Sequence, residues 1–494
     1  MRRSLAVLAT AALAAAAGLV ASAGAMPASA GAAPASAVAA ATPPNIVFVL
    51  VDDLAWNLVQ HMPNVQRLQA DGTTFTNYTV TDSLCCPSRS SIFTGKFPHD
   101  TGVFTNEGPD GGFAVFRNRG NESRTFATAL QAQGYTTAFM GKYLNGYLPK
   151  DLYTPPGWSE WYGAGNAYGE YNYNLNENGT LVHYGNTDAD YLTDVVGAKG
   201  TSFIQRAAAA HKPFLLEIST FAPHGPFTPA RQDLDKFPGL TAPHTPAWNT
   251  LPTNAPAWLA GNGPLTAAEI EKINTDYRKR AQAVQAVDRM IAGLRRQLTD
   301  SGVAGNTYVV FSSDNGFHMG DHRLVVGKQT AFDHDVVVPL VIAGPDVPSG
   351  VNRPQVVQNI DLAPTFQRIG GAPVAGDVDG RSLVTLLTGG QTAPWRTGSL
   401  IEHHGPGASA DDPDVQDARN GMPTTYEALR TATYTYVEYD SGEFEYYDRA
   451  TDQYQLHNTY VSLSAARKAT LHADLDALKN CHTNASCWTA GHVS

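Results

Sequence analysis

Four short apolar runs, each stopped abruptly by polar residues, constrain this chain more than any other feature. Residues 46–51 (IVFVLV) meet Asp52 and Asp53, and residues 135–140 (YTTAFM) meet Gly141 and Lys142. Residues 214–219 (FLLEIS) lead through Thr220-Phe221-Ala222-Pro223 to His224. Residues 307–311 (TYVVF) lead through Ser312-Ser313 to Asp314 and Asn315. Runs this short and this apolar read as parallel strands buried on both faces. Helical patterns lie between them. Thr266 and Glu269 make a capping box before a segment in which Val284, Val287, Ile291, Leu294 and Leu298 recur on one face. Alternating strands and helices predict an α/β fold, with a large mixed, mostly parallel sheet flanked by helices. In such sheets ligands bind beyond the carboxyl ends of the strands. Two carboxylates, a lysine, a histidine and an Asp-Asn pair are therefore expected at one edge.

The texture changes after about Gln391. Residues 433–439 (TYTYVEY) and 443–447 alternate around Ser441-Gly442, a hairpin pattern, and a short helix is expected over 464–478. We expect a catalytic domain over 45–390 and a smaller antiparallel α+β subdomain over 391–494.

At the other end, Arg2-Arg3 precedes an apolar, alanine-rich run over 5–23, with small-residue cleavage contexts after Ala23 and Ala30. This order predicts a signal peptide over 1–30, followed by an Ala/Pro/Ser/Gly-rich flexible leader over 31–44, and hence a secreted or extracytoplasmic protein. The run is barely long enough to span a bilayer, so no stable membrane anchor is expected. The arginine pair also suits twin-arginine export. Losing those two arginines moves the formal charge from −11 to −13. A nucleic-acid partner, which calls for a basic surface, is not expected. An anionic small substrate is compatible, because a local pocket can oppose the global sign.

Four cysteines remain to be placed. Cys481 and Cys487, six apart in an exported chain, suit a small disulfide loop. Cys85 and Cys86 are adjacent and pair poorly for geometric reasons. Pro87 suits a first helical turn, which puts Cys85 at a helix N-terminus where backbone donors favour an anion, and Arg89 adds a fixed fork for an oxyanion. Thiolate nucleophile, half of a disulfide and buried structural thiol all remain open for Cys85 on these grounds. Asp52, Asp53, Asp314 and Asn315 offer oxygen ligands only, which suits Ca²⁺ or Mg²⁺ better than zinc.

The stretch Cys85-Cys86-Pro87-Ser88-Arg89, with Thr94-Gly95 following, resembles the signature of the sulfatase family. The resemblance implies an alkaline-phosphatase-like sulfatase fold and a sulfuric ester hydrolase acting on a sulfated small molecule or glycan. It implies that Cys85 is oxidised to 3-oxoalanine (formylglycine) by a formylglycine-generating enzyme. The hydrated aldehyde then attacks sulfur with one hydroxyl, and the other loses a proton to expel sulfate. By the same resemblance Asp52, Asp53, Asp314, Asn315 and the modified Cys85 hold Ca²⁺, Arg89 stabilises the hydrate, Lys142 and Lys328 clamp sulfate, and His224 lies near the leaving oxygen. Many sulfatases carry a histidine two residues after the first lysine; Leu144 stands there in this chain. Gly141–Asn145, residues 156–162 (PGWSEWY) and residues 314–318 (DNGFH) are similar to the glucosamine-6-sulfatase branch. That likeness makes Trp158, Trp161 and His318 candidate sugar contacts and N-acetylglucosamine 6-sulfate the expected substrate. Arylsulfatase, phosphonate or phosphodiester hydrolase, and a non-catalytic glycan-binding role are the competing readings.

Overall fold

The computed structural model describes residues 42–389, 394–405, 412 and 414–494. The expected signal peptide and most of the leader lie outside the described residues, as does the expected boundary at 390/391. Thr42–Ser494 form one compact unit.

The central sheet collects strands from most of the chain. In chain order its first strands are β1 (Asn45–Val51), β2 (Thr73–Thr79), β3 (Thr136–Lys142), β4 (Glu160–Ala164), β5 (Tyr173–Glu177) and β6 (Thr180–Tyr184). Next come β7 (Phe214–Ser219), β8 (Thr307–Ser313), a two-stranded ribbon of β9 (His318–Met319) and β10 (Val326–Gly327), then β11 (Leu340–Ala343) and β12 (Val351–Gln358). The ten-stranded sheet runs β12-β2-β11-β8-β1-β7-β3-β4-β5-β6. The four strands singled out from the sequence, β8, β1, β7 and β3, are contiguous and mutually parallel. Val51 pairs with Ser313, Leu50 with Ser219, and Gly141 with Ser219. Their carboxyl ends therefore meet at one edge. β11 runs antiparallel to β8 and β2, which makes the sheet mixed.

Alternation along β1 explains the layers. Val47, Val49 and Val51 point into one apolar cluster, which includes Leu192, Phe203, Val284, Val287, Ile291 and Leu294 from the helices Leu192–Ala209 and Ala267–Asp300. Ile46, Phe48 and Leu50 point into the other, with Ile92, Phe93, Phe126, Leu130, Leu362 and Phe366. Each fully buried Val, Leu or Phe contributes about 1.5–3 kcal/mol, so both helical layers are held firmly to the sheet. The helix Ala267–Asp300 starts at Thr266, whose hydroxyl accepts from Glu269 N at 3.2 Å while Glu269 accepts from Thr266 N at 2.7 Å.

A second, antiparallel sheet is formed by β13 (Gly398–His403), β14 (Tyr426–Thr431), β15 (Tyr434–Tyr439) and β16 (Phe444–Asp448). The β15–β16 turn is the hairpin read from the sequence. The helix Ala465–Lys479 lays Leu471, Leu475 and Leu478 on Leu400, Leu429 and Tyr436 of this sheet, and the Cys481–Cys487 disulfide is buried in the same cluster. Ile401, Tyr426, Ala428 and Val437 join the apolar layer of the large sheet, so the two sheets share a core. No helix among the described residues is long and apolar enough to cross a membrane.

Candidate active site

The site is built on the carboxyl edge of β8-β1-β7-β3. Asp52 and Asp53 follow β1 directly, and Asp53 adopts φ 61°, a left-handed conformation that Asp tolerates better than most residues. Asp314 and Asn315 follow β8, His224 lies five residues beyond β7, and Lys142 ends β3. Gly141 precedes that lysine with φ +103°. A Cβ there would lie 1.9 Å from the carbonyl oxygen of Ser219, so only glycine lets β3 run this close to β7.

Cys85 opens the helix Cys85–Thr94, all ten residues of which are buried. Leu84 is an apolar N-cap, and the amide of Cys86 donates to Asn106 Oδ1 at 2.9 Å instead. Gly95 stops the helix in the left-handed region (φ +74°), where an added Cβ would press on Val378 at 2.8 Å. The Thr94-Gly95 pair of the signature is thus a helix stop. The Cys85 thiol receives the Lys328 ammonium at 2.9 Å and faces Asp52 Oδ1 at 3.4 Å. Burial, with Asp414 and Asp52 adding to it, pushes this thiol well above its usual value, against Lys142 and Lys328. As a cysteine it is a neutral thiol, and the thiolate is the nucleophilic form.

The cations around it are paired with the carboxylates. Lys142 Nζ lies 2.6 Å from Asp52 Oδ2, and Lys328 Nζ lies 2.7 Å from Asp53 Oδ1. Burial disfavours the charge of both ammonium groups, but the carboxylates outweigh it and hold them well above the ordinary lysine value. His224 Nε2 is 3.7 Å from Asp53 Oδ2; burial opposes its charge, and Asp53, Asp414 and Asp52 overcome it and raise its value. Arg89 donates from Nε to Asp314 Oδ2 at 2.7 Å and from Nη1 to the Lys142 carbonyl at 2.8 Å, while its Nη2 is 3.7 Å from Asp52 Oδ1. Asp314 is raised to about 6 because burial outweighs Arg89 and the neighbouring Asp52 and Asp53 repel its charge.

The oxygens also fit a hard cation. Asn315 uses its Nδ2 on Asp53 Oδ1 (2.7 Å) and the Gly316 carbonyl (2.9 Å), leaving Oδ1 buried without a partner. A buried orphan acceptor beside crowded carboxylates is the donor set that Ca²⁺ or Mg²⁺ takes. Asp52, Asp53, Cys85 and His224 each place a ligand atom within 4.8 Å of the others.

Three expected sugar contacts need correction. Trp161 has no exposed surface and Trp158 is 8% exposed. Trp161 stacks on Phe139 with centroids 4.7 Å apart and donates from Nε1 to Tyr147 Oη at 2.7 Å; Trp158 packs on Phe126 and Phe139. Both belong to the apolar layer beneath the sheet, because β4 pairs with β3 in a register that sets Trp161 beside Phe139. His318 is likewise closed off, with Nδ1 at 3.0 Å from Asp335 and Nε2 at 3.1 Å from the Asn420 carbonyl. It braces the β9–β10 ribbon that carries Lys328. Leu144 is buried in apolar surroundings and offers Cys85 no polar contact.

The structure adds residues the sequence reading missed. Asp414 reaches His224, Lys328 and Cys85. Asn106 holds the helix start, Tyr168 places its ring 4.5 Å from that of His224 and 5.0 Å from Lys142 Nζ, and Arg280 donates to the Asp53 carbonyl. None lies at the end of an apolar run, the signal that exposed the others.

Known proteins resemble the chain over most of its length. The sulfatase family profile matches residues 44–372, and that of the N-sulphoglucosamine sulphohydrolase C-terminal region matches 320–481. The chain is 33% identical to an N-acetylglucosamine-6-sulfatase of Capra hircus over 470 residues, covering 89% of this chain and 84% of the relative. It is 32% identical to the Homo sapiens N-acetylglucosamine-6-sulfatase, covering 91% and 86%. Its fold is similar to that of BT4656, solved with its substrate D-glucosamine-2-N,6-O-disulfate, with a TM-score of 0.73 and 23% identity over 88% of this chain and 97% of that one. Signature, site geometry and these matches together place the chain in the sulfatase family of sulfuric ester hydrolases.

Proposed function

We propose that this sulfatase is exported and removes the 6-O-sulfate of an N-acetylglucosamine unit, using Cys85 matured to formylglycine and a Ca²⁺ (or Mg²⁺) held by Asp52, Asp53, Asp314, Asn315 and the modified residue. The observation that carries the reading is the position of Cys85. It sits at a buried helix start, 2.9 Å from one buried ammonium, with a second on Asp52 and His224 across the same pocket. The substrate assignment is supported by relatives that are N-acetylglucosamine-6-sulfatases.

The metal, when bound, would supply positive charge to the attacking oxygen and to the sulfate group. The matured residue would supply a pair of geminal hydroxyls, one to attack sulfur and one to lose a proton as sulfate leaves. The chain's own residues do the rest. Lys142 and Lys328 bind the sulfate oxygens and are already oriented by their carboxylates, so they need little reorganisation as charge shifts. His224, whose affinity for a proton is raised by Asp53, Asp414 and Asp52 against the effect of burial, stands ready to stabilise or protonate the departing sugar oxygen. Arg89 ties Asp314 to the Lys142 backbone and so holds the metal-binding edge and the sulfate clamp in one frame.

Protein produced with a formylglycine-generating enzyme provides the test. The Cys85 peptide should carry an aldehyde or its hydrate by mass spectrometry, and kcat/KM should be highest for the 6-sulfated sugar among its 3-, 4- and 6-sulfated isomers. Full activity with an intact thiol refutes the nucleophile. Clear preference for a phosphonate ester or a different isomer refutes the substrate.

A further inference from the structure

The cations aimed at the nucleophile already hold an anion. Asp414, on the stretch between β13 and β14, places Oδ1 2.7 Å from His224 Nε2 and 2.9 Å from Lys328 Nζ. Its Oδ2 accepts from Asn106 Nδ2 at 2.9 Å and from the Cys85 thiol at 3.3 Å. The backbone is pinned as well. Gln329 Nε2 donates to the Asp414 carbonyl at 2.8 Å, and the Asp414 amide donates at 3.0 Å to Asp412, which shares the Asn106 side chain at 3.1 Å. Asp414 is 2% exposed, and none of Cys85, Lys142, His224 and Lys328 is more than 5% exposed, so the carboxylate and the groups it holds are shut off from solvent together.

We propose that Asp414 is an internal ligand of the sulfate pocket, its carboxylate standing where two oxygens of the ester go, and that substrate binds by displacing it. The inference rests on the sulfatase reading and adds a competition to it. A sulfate monoester and a carboxylate each carry one negative charge spread over oxygens. The contest is therefore even in charge, and the extra contacts of the sugar decide it. Only molecules whose pocket is vacated bind ester, so apparent affinity falls by the fraction occupied by Asp414. Poor anionic ligands are excluded for the same reason, and discrimination comes from the sugar.

The test uses the full-length matured enzyme and its Asp414→Asn variant, with inorganic sulfate binding by calorimetry, KM for an aryl sulfate, and calcium content by elemental analysis. The sulfate dissociation constant and the KM should both fall about tenfold in the variant, as a change from about one-tenth vacated to fully vacated requires. Calcium content should not change. Gln329→Met, which frees only the backbone, should shift both constants the same way by about two- to threefold, and serves should Asp414→Asn fold poorly. Unchanged or weakened sulfate binding overturns the proposal, because Asp414 then reads the sugar or only braces the loop. Lost calcium overturns it too, making Asp414 a metal ligand. Tighter sulfate binding without aryl sulfate turnover in either protein would leave the internal ligand standing and sink the sulfatase chemistry instead.

Discussion

Arg89 and Asp314 meet at 2.7 Å with neither side chain exposed, and the same guanidinium grips the carbonyl of Lys142, so one residue joins the ends of β8 and β3 across two intervening strands. Breaking a buried pair leaves an uncompensated charge and costs about 3–5 kcal/mol. Arg89→Met should therefore lower stability by that amount in urea unfolding. Arg89→Lys, which keeps the charge and loses the fork, should be less destabilised and still lose at least about a hundredfold in turnover, a loss of the kind expected when positioned charge is removed from a transition state. Near-normal activity in Arg89→Lys would show that the fork is dispensable.

The two adjacent cysteines should separate cleanly. Cys85→Ala should abolish turnover. Cys86, whose side chain packs in the apolar layer, should as Ala keep most activity and lose about 1–2 kcal/mol, the scale of a small buried group. Parallel assays and thermal melts of both variants check this, and comparable activity losses in the two would contradict it.

Metal removal should cost stability as well as activity. Four carboxylates or amide oxygens share one buried edge, and Asn315 Oδ1 has no protein partner. A cation at 100 times its dissociation constant stabilises by about 2.7 kcal/mol. Chelator-washed enzyme should melt several degrees lower and recover with Ca²⁺, and Asn315→Ala should blunt that recovery. Melting curves with and without chelator that superimpose would argue against the site.

His99 sets a pH dependence away from the catalytic edge. Its Nδ1 lies 2.9 Å from both Glu402 oxygens and Nε2 donates to the Cys481 carbonyl at 2.7 Å, with 12% of the side chain exposed. Burial lowers its value, but the hydrogen bond and charge of Glu402 outweigh that and raise it from 6.5 to about 9. A raised folded value stabilises below the unfolded value and is lost as pH rises through the folded one. His99→Gln should therefore cost on the order of 2–3 kcal/mol near pH 6, and the gap to wild type should close as pH passes about 9. A gap independent of pH across that window would show that His99 acts through packing alone.

Trp161→Phe should separate core from specificity. The change removes the donor to Tyr147 and some packing, for about 1–3 kcal/mol. The ratio of kcat/KM between 6-sulfated and 4-sulfated sugars should stay within about twofold. A collapse of that ratio would return Trp161 to the substrate pocket.

These residues also mark what could be read before the fold was known. Asp52, Lys142, His224 and Asp314 were legible because each ends or follows a buried strand, and burial on both faces leaves a continuous apolar run in the sequence. Thr266 was legible because capping is local, needing only Glu269 three residues on. Trp161 was misjudged because proximity in sequence to Lys142 says nothing about which face of β4 it occupies; that depends on the β3–β4 register. Asp414 and Asn106 left no trace, since each enters from a loop: Asp414 acquires its role through Lys328, Cys85 and Asn106, all distant in sequence, and Asn106 through the Cys86 amide and Asp414.

The contiguity of β8, β1, β7 and β3 bears on how this site can be lost. Strands paired on both sides in the middle of a sheet exchange their amide hydrogens only when the whole unit opens. The backbone under Asp52, Lys142 and Asp314 should therefore exchange among the slowest of the described residues, and loss of the catalytic edge should follow global opening and not a local one.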